Sequence, residues 1–448
     1  AETPAELSVD EAIRLAVALQ QQQALDDAEA IYRRILAAMP EHPDALHFFG
    51  VLQYHRGQTG EAVRLITAAL RAAPRYVDAH INLGNIWREQ DRLDDAESCY
   101  RRALQQDPEN AGAYNNLGTV LRAKDRLADA EDAYRKAIEL APDFPATYEN
   151  MGNLLSRQGR VTEAVAHYAQ AVVLNPDHPD CRKMLGIALS CLGRIEEAAD
   201  VFRQWSEKDP ENPVARHLLA ACSGEQVPDR APDVYVRKVF DNFAEHFEAR
   251  LQRLDYHAPR LVAESIARSV DPPGSDFDVL DAGCGTGLCG RLLRPYARRL
   301  DGVDLSPAML AQARKTGCYD TLVEAELTEF LAAKSAAYDW IVSADTLCYF
   351  GDLSAVMTAA AGVLHGDGRF VFTVEFDPTD TDPSAAGYRL NPNGRYCHRE
   401  DYVHRTVLEA GLELTEVKRR TLRSEMGLPV VGLVVTAVLR RPKESRNE

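Results

Sequence analysis

Val279-Leu-Asp-Ala-Gly-Cys-Gly-Thr-Gly-Leu-Cys-Gly290 decides how the second half of this chain is read. An apolar run ends at an acid and passes into three glycines at every second position, which predicts a buried strand entering a tight turn free of Cβ atoms. Such a turn lets a nucleotide-like ligand approach the backbone at a helix start. About one strand-helix-strand later, Asp304 closes a second strand in Arg299-Leu-Asp-Gly-Val-Asp-Leu-Ser306. An acidic side chain there is placed to accept both hydroxyls of a ribose.

Outward from this segment, residues 234–268 have a helical pattern with Phe240, Phe243, Phe247 and Leu251 on one stripe. Downstream, strands alternate with helices near 290–296 and from Pro307, predicting an α/β doubly wound, Rossmann-like sheet. Residues 412–420 and 430–440 are β-rich runs joined by a loop with Gly427 and Pro429, which predicts a C-terminal antiparallel hairpin.

Upstream the pattern changes. Pro40, Pro74, Pro108, Pro142, Pro176 and Pro210 fall 34 residues apart without an insertion. A fixed period of that length predicts stacked helical hairpins, no one of which buries its apolar face alone. In residues 111–144, Tyr114, Leu117, Gly118 and Leu121 share one face of a first helix, and Leu127, Ala130, Tyr134 and Ala137 one face of a second. The first copy departs from this pattern, with Ala16 in the glycine place and Gln23 in the turn place. The expected division is an all-α solenoid over 1–222 ending in a closing helix from Pro213, a Gly/Pro linker over 223–233, an α/β domain over 234–441, and a disordered tail over 442–448. Asn82, Asn116 and Asn150 recur at the sixth place of three repeats, predicted to face an inner groove where their amides pair with the backbone of an extended peptide. The alternative is bonding within their own helices.

A chain of 448 residues with 46% hydrophobic composition fills two or three cores. Its formal charge of −17 repels phosphate backbones, so no nucleic-acid partner is expected. Nine cysteines with no CxxC pair read as reduced thiols, with no metal site. The acidic start does not read as a signal peptide and no run approaches a spanning length, so a cytoplasmic location and no membrane partner are expected.

The 34-residue pattern resembles the tetratricopeptide repeat, in about six copies over residues 9–212. The second half, from about Asp233 to Arg441, resembles the class I S-adenosylmethionine-dependent methyltransferases. Three features carry that resemblance: the register DxGxGxG from Asp281, the strand running into Asp304-Leu-Ser-Pro-Ala-Met-Leu310, and the closing hairpin. It implies S-adenosylmethionine as cofactor, with Asp281, Gly283, Cys284, Gly285 and Gly287 at its methionine end and Asp304 on the ribose. By the same resemblance Leu305 and Met309 line the adenine, and Glu326-Leu327 matches the adenine amino contact, with Glu where these families usually carry Asp. Ser343-Ala344-Asp345 corresponds to the segment below the reactive methyl. Gly285, Gly287 and Gly290 also satisfy GxGxxG, so a nicotinamide oxidoreductase is a competing reading.

Substrate determinants of this family lie after the fifth strand, here Tyr388, Arg395, Tyr396 and His398, with Asn391-Pro-Asn-Gly394 a loop and the cluster after it opening the next helix. His398 and Asp345 are the catalytic candidates, His398 as general base, and Arg395 an anchor for an acidic acceptor. Ser343-Ala-Asp-Thr-Leu-Cys-Tyr-Phe350 replaces the Asn/Asp-Pro-Pro-aromatic motif of amino-methylating DNA enzymes, which leaves a protein, peptide or small metabolite as acceptor. The repeats are expected to bind a protein or peptide partner; the alternative is an interaction scaffold with a non-catalytic methyltransferase-like domain.

Overall fold

The computed structural model of the chain describes residues 7–439 apart from 242–243, 245–246, 253, 271–273, 275, 380–385 and 426–427. Phe243, Gly427 and the tail over 442–448 therefore lie outside the described residues. Contacts divide the chain into two compact units, Ala1–Ser156 with Thr162–Cys181, and Arg157–Val161 with Arg182–Glu448.

The 34-residue period becomes helical pairs: α1 (Val9–Gln21) and α2 (Leu25–Ala38), α3 (Pro43–His55) and α4 (Thr59–Ala72), α5 (Val77–Glu89) and α6 (Leu93–Gln106), α7 (Ala111–Ala123) and α8 (Leu127–Leu140). α9 (Pro145–Arg157) and α10 (Val161–Leu174), then α11 (Pro179–Cys191) and α12 (Ile195–Lys208), continue it, and α13 (Pro213–Ser223) follows. Each periodic proline stands two residues past the second helix of its pair, where its missing N–H and fixed φ prevent another helical turn.

Two devices repeat within the pairs. A Cβ on Gly118 would lie 2.6 Å from the Tyr134 ring, and Gly84 and Gly152 stand likewise against Tyr100 and Tyr168. The absent methyl lets the helices close over tyrosines that are fully buried. The turn inside each pair bends through a left-handed residue, in order Gln23, Gly57, Asp91, Asp125, Gly159 and Gly193, with φ between 59° and 76°. Glycine adopts that conformation without cost and the other residues at roughly 1–2 kcal/mol.

In the second unit, residues 234–268 are not one helix. They form α14 (Asp233–Asp241), α15 (Phe247–Gln252) and α16 (Ala258–Ala267). Asp255 has φ 50°, which breaks the helical run, and Pro259 in the first turn of α16 starts a new helix. Then come β1 (Phe277–Ala282), α17 (Leu288–Leu293), β2 (Ala297–Asp304), α18 (Pro307–Thr316), β3 (Thr321–Glu324), α19 (Leu327–Ala332), β4 (Tyr338–Ser343), α20 (Ser354–Val363) and β5 (Leu364–Phe376). β6 (Tyr388–Leu390), β7 (Tyr396–His398), α21 (Glu400–Glu409), β8 (Leu412–Glu425) and β9 (Leu428–Leu439) complete it.

β3-β2-β1-β4-β5 is a parallel run, and β9 then β8 add antiparallel strands beyond β5, giving the expected doubly wound sheet closed by a hairpin. The alternation of β5 shows why two faces are covered. Phe370 and Phe372 enter one core with Val356, Met357 and Leu433, while Val371 enters the other with Val262, Ile266 and Trp340.

One expectation is corrected here. Tyr396–His398 do not open a helix but form β7, which pairs antiparallel with β6 and parallel with the last two residues of β5. β4 stops pairing at Phe372, so the end of β5 has a vacant edge, and β7 satisfies it.

The 223–233 segment is likewise bound rather than loose. Gly351 and Asp352 donate their N–H groups to Asp229 O, Ala231 N–H donates to Tyr349 O, and Arg230 bridges Phe350. α13 is held within the same unit, with His217 Nε2 2.9 Å from Gly394 O and its ring 4.0 Å from that of Tyr235.

Candidate active site

The carboxyl ends of β1 and β2 bring the glycine turn together with one buried and one half-buried carboxylate, Asp281 and Asp304. Asp281 is fully buried near the end of β1, and Tyr319 donates its hydroxyl to Oδ2 at 2.6 Å. Asp281 Oδ1 is buried with no hydrogen-bond partner, as is Thr286 Oγ1 in the turn. Burial pushes the Asp281 carboxyl up to about 7, against the Tyr319 bond, which acts the other way. A buried acceptor that no protein group satisfies is the kind of atom a cationic ligand completes.

Gly283, Gly285 and Gly287 all have positive φ, at 81°, 53° and 91°. A Cβ on Gly283 would strike Thr346 Oγ1 at 2.1 Å, whereas one on Gly285 would meet nothing within 4 Å. The turn therefore packs tightly on one side and opens at Gly285. Cys284 faces inward, 3.0 Å from the place of a Cβ on Gly302, and burial raises its thiol well above the usual range. Gly290, which completes GxGxxG, is needed because a Cβ there would lie 2.5 Å from the Tyr319 ring.

Asp304 ends β2 with one carboxylate oxygen on the Gly285 N–H at 2.8 Å and the other on the Ser306 N–H at 2.9 Å. Burial raises its carboxyl, and these bonds oppose the rise. They aim the carboxylate at the open side of the turn and leave lone pairs on both oxygens. Beyond it, Ser306 caps α18, and Asp241 accepts from the Ser306 hydroxyl at 2.5 Å. Leu305 is half-buried and Met309 fully buried. Glu326 is the N-cap of α19, accepting from Glu329 N–H at 2.9 Å, and Leu327 belongs to the core around β4.

The carboxyl ends of β4 and β5 hold the remaining candidates in internal contacts. Ser343 Oγ donates to Ala282 O at 2.9 Å, and Ala344 packs in the core with Trp340. Asp345 has φ 58°, a strained conformation for a residue with a side chain, and both of its oxygens accept from Arg423 NH1 at 2.7 Å.

Arg423, 3% exposed, also binds Glu375 and Glu425, and Arg395 binds the same two glutamates, Glu375 at 2.7 Å and Glu425 at 2.5 Å. Two guanidiniums thus serve three carboxylates. Burial pushes the Glu425 carboxyl up, but Arg395 and Arg423 together hold it below its ordinary range.

Arg395 is therefore engaged inside the protein and not presented as an anchor. His398 is fully buried with Nε2 3.0 Å from Gly351 O, and burial lowers its pKa to about 4. The hydroxyl of buried Tyr396 donates to Pro228 O and that of Tyr388 to Asp229, so both tyrosines clamp the 228–231 segment.

Sequence reasoning missed Tyr319, Thr346, Arg423, Glu375 and Glu425. For Tyr319 the signal was available in principle, since Gly287, Gly290 and Gly302 all make room for its ring.

In the first unit the amides of the three asparagines reach sideways, and Asn116 Oδ1 also accepts from Asn115 Nδ2 within α7 at 3.4 Å. Asn82 Nδ2 lies 2.9 Å from His47 Nε2, Asn116 Nδ2 donates to Asn85 at 3.2 Å, and Asn150 Nδ2 to Asn115 at 2.9 Å, each reaching the preceding repeat. No helix of the described residues is long and apolar enough to cross a membrane.

A family model described as a methyltransferase domain matches residues 280–372. Tetratricopeptide-repeat models match residues 49–98, 88–145, 133–166 and 155–222. The chain is 36% identical over 97 residues to human methyltransferase-like protein 27, covering 21% of this chain and 38% of that protein. It is 29% identical over 208 residues to malonyl-[acyl-carrier protein] O-methyltransferase of Acetivibrio thermocellus, covering 40% of this chain and 70% of that one. Among solved structures, the Pseudomonas aeruginosa pilF protein aligns with a TM-score of 0.43 and 20% identity, over 47% of this chain and 96% of that one. The chain carries tetratricopeptide repeats and a methyltransferase domain, for which S-adenosylmethionine is the expected cofactor.

Proposed function

We propose that this chain, a tetratricopeptide-repeat array joined to a methyltransferase domain, methylates a protein-borne or small-metabolite acceptor that its repeats help to recruit. The observation that carries the reading is the opening at Gly285 between the buried carboxylate of Asp281 and the half-buried carboxylate of Asp304.

When bound, S-adenosylmethionine supplies an electrophilic methyl group on a sulfonium. The chain's own residues bind and orient. Asp281 Oδ1, buried and unpaired, suits an ammonium group, and an ion pair there is strong because water is excluded. Asp304, fixed by the Gly285 and Ser306 N–H groups, suits a pair of sugar hydroxyls. Leu305 and Met309 offer an apolar flank, and Glu326, committed to its cap, keeps one oxygen near Thr328 at 3.3 Å and shares the role only through its remaining lone pairs.

Methyl transfer needs nucleophile and methyl held at near-attack distance more than it needs acid-base chemistry. Asp345, Arg423 and Glu375 give the acceptor side a rigid floor at the ends of β4 and β5, where ligands of open α/β sheets bind. His398 acts as a positioning residue for the 349–352 loop. An oxygen acceptor is the first class to test, because the Acetivibrio relative is by its name an O-methyltransferase acting on a carrier-borne substrate. The acidic balance of −17 speaks against a nucleic-acid acceptor.

Calorimetric titration of the full chain with S-adenosylmethionine and S-adenosylhomocysteine tests the cofactor site, and absence of heat with both would overturn the reading. Binding without transfer of a labelled methyl to any component of a lysate favours the second reading, an interaction scaffold. The enclosure of Asp345, Arg395 and His398 in internal contacts is what supports that alternative.

A further inference from the structure

Within the first unit, three side chains of different chemistry converge on one point. Cys181 Sγ lies 3.5 Å from Glu149 Oε2 and 3.6 Å from His178 Nδ1, and all three donor atoms fall within 4.8 Å of one another. Glu149 comes from α9, His178 from the turn after α10, and Cys181 from the first turn of α11, so two successive repeats supply the set. Sequence reasoning set zinc aside because no CxxC pair occurs. The donors here are a His-Pro-Asp-Cys run and a glutamate 29 positions before its histidine, and only repeat stacking brings them together.

We propose that Glu149, His178 and Cys181 form a binding site for a zinc-class divalent ion, a property separate from methyl transfer. The separations fit. A tetrahedral zinc with Zn–S of about 2.3 Å and Zn–N or Zn–O of about 2.0–2.1 Å sets sulfur about 3.5–3.6 Å from each of the other ligands. Both separations from the Cys181 sulfur therefore stand at ligand spacing.

The charges fit as well. A thiolate and a carboxylate carry two negative charges between them, which balance a dication, while imidazole contributes a neutral nitrogen. Cys181 is 2% exposed, whereas Glu149 and His178 are half-buried, so the fourth position is reachable by water. Without metal the thiol keeps its proton: burial and then the Glu149 charge push it up to about 12, and Sγ–H donates to Glu149. Metal binding forms the S–metal bond and releases that proton to solvent, so uptake strengthens with pH.

The test uses the full chain, stripped with a chelator and titrated with cobalt(II) and then zinc. The expected result is one cobalt per chain with a thiolate-to-metal charge-transfer band, displaced by one equivalent of zinc. Cys181→Ser should abolish the band, Cys191→Ser, at an exposed cysteine, should keep it, and His178→Ala and Glu149→Gln should each weaken zinc binding at least tenfold. Circular dichroism reports whether each variant folds. If Cys181→Ser does not fold, the Glu149→Gln and His178→Ala affinities decide. Absence of cobalt uptake, a band that survives Cys181→Ser, or zinc affinity unchanged in both other variants would overturn the assignment.

Discussion

Asp281→Asn separates what the carboxylate costs the fold from what it gives the ligand. Burial moves this carboxyl from an ordinary 3.8 to about 7, roughly three decades, so holding it ionised costs the apo protein on the order of 4 kcal/mol. The folded state binds the proton more tightly than the unfolded chain, so the folded state keeps its full stability below about pH 4 and loses it as pH rises through 7. Between about pH 5 and pH 8 that loss is roughly 2–3 kcal/mol, equivalent to roughly 5 °C in the melting temperature of a unit this size.

Asparagine keeps an oxygen for the Tyr319 hydroxyl and cannot ionise. Melting the ligand-free proteins at both pH values should show the variant gaining on wild type by about that amount on going to pH 8. In parallel, S-adenosylmethionine should bind the variant at least tenfold more weakly, and wild type more tightly above pH 7 than below it. A melting difference between variant and wild type that is the same at both pH values would refute the reasoning.

Gly285→Ala has room for its methyl but adopts φ 53°, so it should cost about 1 kcal/mol in a thermal melt while weakening S-adenosylmethionine at least tenfold by calorimetry. Unchanged affinity would remove the ligand from that turn. Arg423→Met leaves Asp345, Glu375 and Glu425 with one guanidinium, and denaturation should report a loss of about 3–5 kcal/mol. Gln23→Gly relieves a left-handed glutamine and should stabilise the repeat unit by up to about 1 kcal/mol, readable as a raised melting temperature. His398→Asn should lower the melting temperature yet leave the acidic limb of the kcat/KM pH profile in place; loss of that limb would restore His398 as the base.

The repeats were legible because one packing solution recurs. Gly84, Gly118 and Gly152 mark the same helix contact three times, and the prolines mark the ends. The glycine turn with Asp281 and Asp304 was legible because strand, turn and acid are contiguous or one unit apart. The ion cluster was not. Its members, Asp345, Glu375, Arg395, Arg423 and Glu425, meet only through sheet pairing, and the register of β8 shifts between Thr421 and Arg423. That irregularity buries Leu422 and Arg423 side by side, against the alternation by which a strand is read. β6 and β7 escaped notice because three residues are too few to display a period of two. The lateral bonds of Asn116 and Asn150 escaped because a bond to the neighbouring repeat has no counterpart in a single 34-residue unit.

The ties of α13 and the 228–231 segment bear on how the molecule can be dissected. A truncation starting at Val234 would strip His217 from the Gly394 carbonyl, Pro228 from the Tyr396 hydroxyl and Asp229 from the amides of Gly351 and Asp352. The fragment would keep every residue of its sheet and lose the girdle around the carboxyl ends of β4 and β5. A failed assay on such a fragment would then report amputation and not a missing activity, and a fragment that retains α13 and the 228–231 segment keeps those bonds.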